Sequence, residues 1–164
     1  MSNSTFKRIL TMLTATMTVS AVAIALPSAA NAGAYGCRGN LVGSWRVPLK
    51  DLLTGETYYR SDIKLFYNPA SGWNCAALVK RPGHARYGEK TPLFIEMYNE
   101  RYAEDAVKNN YDMEQGRFKY YAGPVKVYGK NMCVSIHVMH GDHTGPGGED
   151  DYNGRRSLTG VACR

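Results

Sequence analysis

The chain has 164 residues, of which 44% are hydrophobic, and carries 20 Lys plus Arg against 14 Asp plus Glu. Length and apolar content suit one domain with a real core and argue against a disordered polymer. Charges of both signs are interspersed without a basic block, so nucleic acid is not an expected partner.

The N-terminus reads as an export signal. Lys7 and Arg8 form a positive region, Ile9 to Leu26 is uncharged, Pro27-Ser28 breaks the run, and Ala30-Asn31-Ala32 offers small residues to a signal peptidase. The order positive, apolar, small predicts a signal peptide over residues 1–32, cleaved to leave a secreted, extracellular domain over 33–164 with no membrane association. Ile9–Leu26 is at the lower limit of spanning length and contains four threonines, which disfavours an uncleaved anchor. Cys37 lies eleven residues past Leu26, too far for a lipoprotein signal. Cleavage leaves 132 of the 164 residues and removes Lys7 and Arg8, so 18 basic residues face 14 acidic ones, a net of +4. That mild excess favours acidic surfaces such as wall polymers.

All four cysteines, Cys37, Cys75, Cys133 and Cys163, fall after the signal. An even count in an exported chain predicts two disulfides, and none of the spacings is the CxxC of zinc or redox sites. Three connectivities are open. Cys37–Cys75 with Cys133–Cys163 is favoured because each closes a local unit, constraining the unfolded chain by about 3–4 kcal/mol in the entropy model.

Strand signals then follow one another. Asp62 to Tyr67 alternates, which places Ile63, Leu65 and Tyr67 on one face. Asn68-Pro69-Ala70-Ser71-Gly72 turns the chain into Trp73–Lys80, whose Cys75-Ala76-Ala77-Leu78-Val79 core suggests a strand covered on both sides. The two runs predict a hairpin. Arg81–Lys90 reads as a loop, Leu93–Tyr98 as a strand, and Glu100–Asn110 as room for one short, poorly capped helix. Strand resumes over Arg117–Tyr121, bends at Gly123-Pro124 and continues over Val125–Tyr128. Cys133–Met139 is the clearest late strand, and Gly141–Gly154 is a glycine-rich acidic loop. Short strands with frequent turns predict an all-β barrel or sandwich in one domain.

Several clusters are candidates for chemistry. His137, His140, Asp142 and His143 lie within seven residues, and imidazoles at a strand end can converge on zinc or copper. His140-Gly141-Asp142-His143 resembles part of the metal motif of metallo-β-lactamase-like hydrolases. It departs from it because His137 precedes His140 by three residues rather than two. Alternation places His137 and His140 on opposite faces, and the competing reading makes the three histidines separate surface groups, with no metal and no cofactor. Glu149, Asp151 and Asn153 before Gly154 match the first half of a calcium loop, but position 160 is glycine where an acid should close it. Asn110, Asp112 and Glu114 match similarly, with Gly116 one place late. Glu96, Glu100, Arg101 and the histidines are residue types that serve a small secreted ribonuclease. Glu96, between Ile95 and Met97, otherwise reads as a solvent-face charge. No G-x-S-x-G nucleophile elbow occurs. The pairs Tyr58-Tyr59 and Tyr120-Tyr121 should each place one ring in the core and one outside, and with Trp45 and Trp73 they are candidates for stacking on sugar rings or on a protein.

The run Tyr120-Tyr121-Ala122-Gly123-Pro124-Val125, the later Cys133-Val134 and the closing Ala162-Cys163, behind a leader ending Ala30-Asn31-Ala32-Gly33, resemble the secreted spore-associated protein A-like family of filamentous soil bacteria. The likeness covers mainly residues 117–164. It implies a small exported protein found with spores or the cell envelope, with a wall or spore-surface polymer or protein as partner and no catalytic residue to carry over. The sequence therefore leads to a non-catalytic structural or binding module. A small secreted hydrolase and a secreted enzyme inhibitor are the alternatives.

Overall fold

The structure is a computed structural model, and it describes residues 33–51, 53–104, 109–143 and 152–163. Residues 1–32, expected as a signal peptide, lie outside the described residues, as do Glu149 and Asp151 of the first calcium pattern. Eight antiparallel strands form one sheet: β1 (Asn40–Lys50), β2 (Thr57–Asn68), β3 (Trp73–Lys80), β4 (Thr91–Asn99), β5 (Tyr111–Phe118), β6 (Tyr121–Tyr128), β7 (Val134–Gly141) and β8 (Tyr152–Val161). Their order is β5-β4-β7-β8-β1-β2-β3-β6, so the two edge strands are consecutive in the chain and the sheet curls into a nearly closed barrel.

The expected hairpin joins β2 to β3, with Asn68 opposite Trp73. Gly72 adopts φ +75°, a conformation that a side chain resists, and its N–H reaches the Asn68 carbonyl at 2.8 Å. Of the helix expected over Glu100–Asn110, the described residues show a 3₁₀ turn over Glu100–Ala103, capped by Asn99, and residues 105–108 lie outside them. The strand expected to run through Arg117–Tyr121 instead ends at Phe118, and the chain turns there into β6. Gly123-Pro124, expected as a bend between strands, lies inside β6.

Alternation along the strands builds the core. Ile63 and Leu65 from β2, Ala76 and Leu78 from β3, Leu93, Ile95 and Met97 from β4, and Ile136 and Val138 from β7 all point inward. Trp45 joins them, lying over Gly43, where any Cβ would collide with the indole. Phe66 points outward from β2, yet it is buried with Cys75 and Cys37 under the N-terminal segment, which also carries Tyr35. This is why the β3 core run is covered on both sides.

Both disulfides take the favoured pairing, Cys37–Cys75 and Cys133–Cys163, and no cysteine among the described residues is free. The first clamps the N-terminal segment to the outside of β3. The second ties the start of β7 to the chain just past β8. Intact-mass measurement of the folded protein should show a gain of one hydrogen per cysteine only after reduction, and a free thiol in the unreduced sample would contradict the pairing.

Side chains close the seam between β5 and β6. Asp112 and Glu114 face inward, and their carboxylates accept the backbone N–H groups of Lys126 (2.8 Å) and Gly123. At one end Tyr128 N–H donates to Asn109 O at 2.8 Å. There buried Asn99 donates to Tyr128 O at 2.7 Å and to Asn110 Oδ1 at 2.9 Å. At the other end Lys80 holds the β3-to-β4 crossover. Its ammonium donates to the carbonyls of Arg86 (3.2 Å), Glu89 (2.7 Å) and Phe118 (2.8 Å).

Candidate functional site

Two groups of polar side chains are distinctive, one inside the barrel end and one on its outer wall. The inner group is a polar layer at the mouth beneath the 81–90 crossover. Ser61 and Lys80 face each other across β2 and β3, with Thr91 from β4 and His140 from β7 on the same inner surface. His140 Nδ1 shares a 3.0 Å hydrogen bond with Ser61 Oγ. Burial pushes the His140 pKa from 6.5 down to about 4, helped by the Lys80 charge, so the ring is neutral at neutral pH. Burial also lowers Lys80 to about 8, while its three carbonyl partners favour the ammonium form. His140 Nε2 and Thr91 Oγ1 have no partner among the described residues. Ser61 and His140 are buried, at 0% and 1% exposure, so their contact braces the layer from within.

This corrects the reading of three surface histidines. His140 is only 1% exposed, because alternation along β7 turns it inward with Ile136 and Val138, while His137 faces out. The strand also runs two residues past Met139, so His140 is not a turn residue. Asp142, just beyond the strand, is held by Arg60 at 2.6 Å and Arg86 at 3.4 Å. The His143 carbonyl accepts from Arg117 at 2.9 Å. Thus His137, His140 and Asp142 face three different settings. Among the described residues no three His, Cys, Asp or Glu side chains converge on one point. Of the second calcium pattern, Asp112 and Glu114 bond the β6 backbone and Asn110 bonds Asn99.

The outer group lies on β5, β4 and β7. Register sets Glu96 opposite Met113 on one side and His137 on the other, and Tyr98 opposite Tyr111 and Ser135. Glu96 is therefore not a lone solvent charge. His137 Nδ1 lies 3.2 Å from its Oε1, and the Tyr111 hydroxyl donates to its Oε2 at 3.1 Å. Burial, then the bond to Glu96, pushes the Tyr111 phenol up to about 12, so it stays a donor. Phe94 meets the His137 ring edge-on at 5.9 Å.

Beside this pair the 3₁₀ turn lays Tyr102 on Tyr111, stacked at 5.0 Å between ring centres, with the Tyr98 ring 5.5 Å from that of Tyr102. Tyr98 and Tyr102 line a shallow groove of about 270 Å³ together with Glu100, Ser135, Thr159 and Gly160, while Tyr111 backs Tyr102 from outside the lining. Glu100 thus shares the groove with the tyrosines, while the Arg101 backbone N–H is spent on the Asn99 cap. Sequence reasoning named Glu96, Glu100 and His137 but missed these three tyrosines, which fall on two strands and a turn.

The tyrosine pairs that it did name behave differently from expectation. Tyr120 (49%) and Tyr121 (38%) are both exposed, since the first lies in the β5–β6 turn and the second packs on Tyr35 outside the barrel. Tyr59 is exposed and Tyr58 half-buried, each under an arginine, Arg46 and Arg60 respectively. Neither pair contributes a core ring. Compared with known proteins, this chain matches no family model, no curated protein and no solved structure, so its own geometry carries the functional argument.

Proposed function

We propose that the protein is a non-catalytic secreted module that binds a polymer or protein of the spore surface or cell envelope. The observation that supports this most is the Tyr98–Tyr102–Tyr111 array beside an open groove. Flat, amphipathic rings held by their own contacts present stacking surfaces at little entropic cost, and the neighbouring Glu100, Ser135 and Thr159 offer hydrogen-bonding groups. Two disulfides fit maturation in an oxidising compartment.

Export and binding are tested separately. N-terminal sequencing of protein from culture medium should begin at Gly33; a membrane-bound product retaining Met1 would overturn export. Secreted protein should co-sediment with isolated cell wall or spore coats, and Tyr98→Ala with Tyr102→Ala should weaken binding about tenfold, the loss of one or two stacked rings. Co-sedimentation unchanged in that double variant would sink the groove as the binding site.

The Glu96–His137 pair favours one second reading, a secreted hydrolase, because a carboxylate beside an imidazole is a general acid–base arrangement. Release of soluble fragments from wall or RNA, abolished in Glu96→Gln, would establish it in place of the binding module.

A further inference from the structure

A second cleft lies on the opposite side of the chain's register, on the outer surface of β3 and β6. Trp73 and Cys75 point outward from β3, and Lys126 and Tyr128 stand opposite them on β6. The Cys37–Cys75 disulfide pins the N-terminal segment over this surface and brings Arg38 to its edge. Arg38, Trp73, Cys75 and Lys126, with Asn68 and Ser71 at the β2–β3 turn, line a cleft of about 220 Å³. That is smaller than the ~300 Å³ at which drug-sized pockets begin, and it suits one unit of a chain that continues into solvent.

The chemistry of the lining is specific. Trp73 is half-buried and held edge-on by Tyr128 at 6.1 Å, so the ring is fixed while part of it stays open. Arg38 and Lys126 are exposed, and among the described residues neither has a carboxylate within ion-pair distance. Asp112 accepts the Lys126 backbone N–H from the inner side of the sheet, away from the cleft. The Asn68 carboxamide oxygen accepts the Ala70 N–H within its turn, and the residue lines the cleft with Ser71. A flat ring, two cations without acidic partners and amide and hydroxyl groups at the rim match a sugar that carries an acid group.

We propose that this cleft binds an anionic saccharide, with the sugar ring on Trp73 and its carboxylate or phosphate between Arg38 and Lys126. The site is independent of the tyrosine groove. It gives the Cys37–Cys75 clamp a role: holding the residue before Arg38 to β3 keeps Arg38 at the cleft that Trp73 lines.

Tryptophan fluorescence reads the site directly, because the only other tryptophan, Trp45, packs against the core. Full-length secreted protein should show a saturable change with trigalacturonate, with glucose 6-phosphate, or with both, and none with the neutral sugars galactotriose and glucose. Response to the uronate alone assigns a carboxylate ligand, and response to the phosphosugar alone assigns a phosphate. The signal should vanish in Trp73→Phe. Arg38→Gln with Lys126→Gln, both exposed and without packing roles, should weaken binding by at least about tenfold, the loss expected for charge-assisted contacts. Tyr102→Ala should leave it unchanged, which separates this site from the groove. Absence of a saturable change with either anion, equal response to the neutral sugars, or an unaltered titration in the double-glutamine variant would overturn the proposal.

Discussion

Lys80→Met should lower unfolding free energy by about 3–5 kcal/mol, the largest effect expected of any single substitution outside the cysteines. The wild-type ammonium is 1% exposed and gives all three of its N–H groups to carbonyls. Methionine fills much the same volume but donates nothing, so the Arg86, Glu89 and Phe118 carbonyls lose their partner together. An orphaned buried acceptor costs about 1–3 kcal/mol, and the two in the crossover can recover part of that from water. Two of the three belong to the 81–90 crossover and the third ends β5, so the loss also has a location. Urea unfolding gives the magnitude. Limited proteolysis gives the place: cleavage should appear first within Arg81–Lys90 while the rest of the barrel stays intact. A stability change below about 1 kcal/mol would mean that packing alone holds the crossover, and that burying the charge had cost as much as its hydrogen bonds returned.

His140 should make the fold acid-sensitive in a defined window. In the unfolded chain the imidazole takes up a proton near pH 6.5, whereas in the barrel burial and the Lys80 charge hold it neutral down to about pH 4. Between those values the unfolded state binds the extra proton, so stability rises with pH across the window. The contribution is fully present above pH 6.5 and is lost as pH falls towards 4. At ~1.4 kcal/mol per pH unit, the total is about 3 kcal/mol. Carboxylates titrate in the same range, so the quantity to measure is the difference between wild type and His140→Gln. The variant keeps a polar group near Ser61 but cannot charge. Its stability should be nearly flat relative to wild type above pH 6.5 and should gain steadily on it from pH 6.5 to 4. Parallel curves for the two proteins across that window would show that His140 charges as easily in the barrel as in the unfolded chain.

Some of this architecture was legible from particular residues. The Asn68–Gly72 turn between two strand-forming runs specified the β2–β3 hairpin, because glycine supplies the left-handed conformation that the turn needs. The spacing of the cysteines favoured the local pairing that occurs. Period-two alternation assigned Ile63 and Leu65 to the core and predicted that His137 and His140 face apart. Glu96 and His137 were named as candidates 41 residues apart, although only the β4–β7 register makes them partners.

What the chain determined by itself is local: the β2–β3 hairpin, the strands around Leu93–Tyr98 and Cys133–Met139, the all-β class and the opposed facing of His137 and His140. These follow from backbone sterics and from alternation, which act over a few residues. Closure into a barrel was decided only by the tertiary structure, since it depends on which strand lies beside which. The same holds for Lys80, whose position at the end of an apolar run gives no hint that two carbonyls of the following crossover and one from Phe118, 38 residues on, surround it. It holds for the Tyr98–Tyr102–Tyr111 array and for Arg38 beside Trp73 as well. Each was assembled by non-local pairing, and the free energy that selects such pairing belongs to the whole packed core, not to the residues that meet.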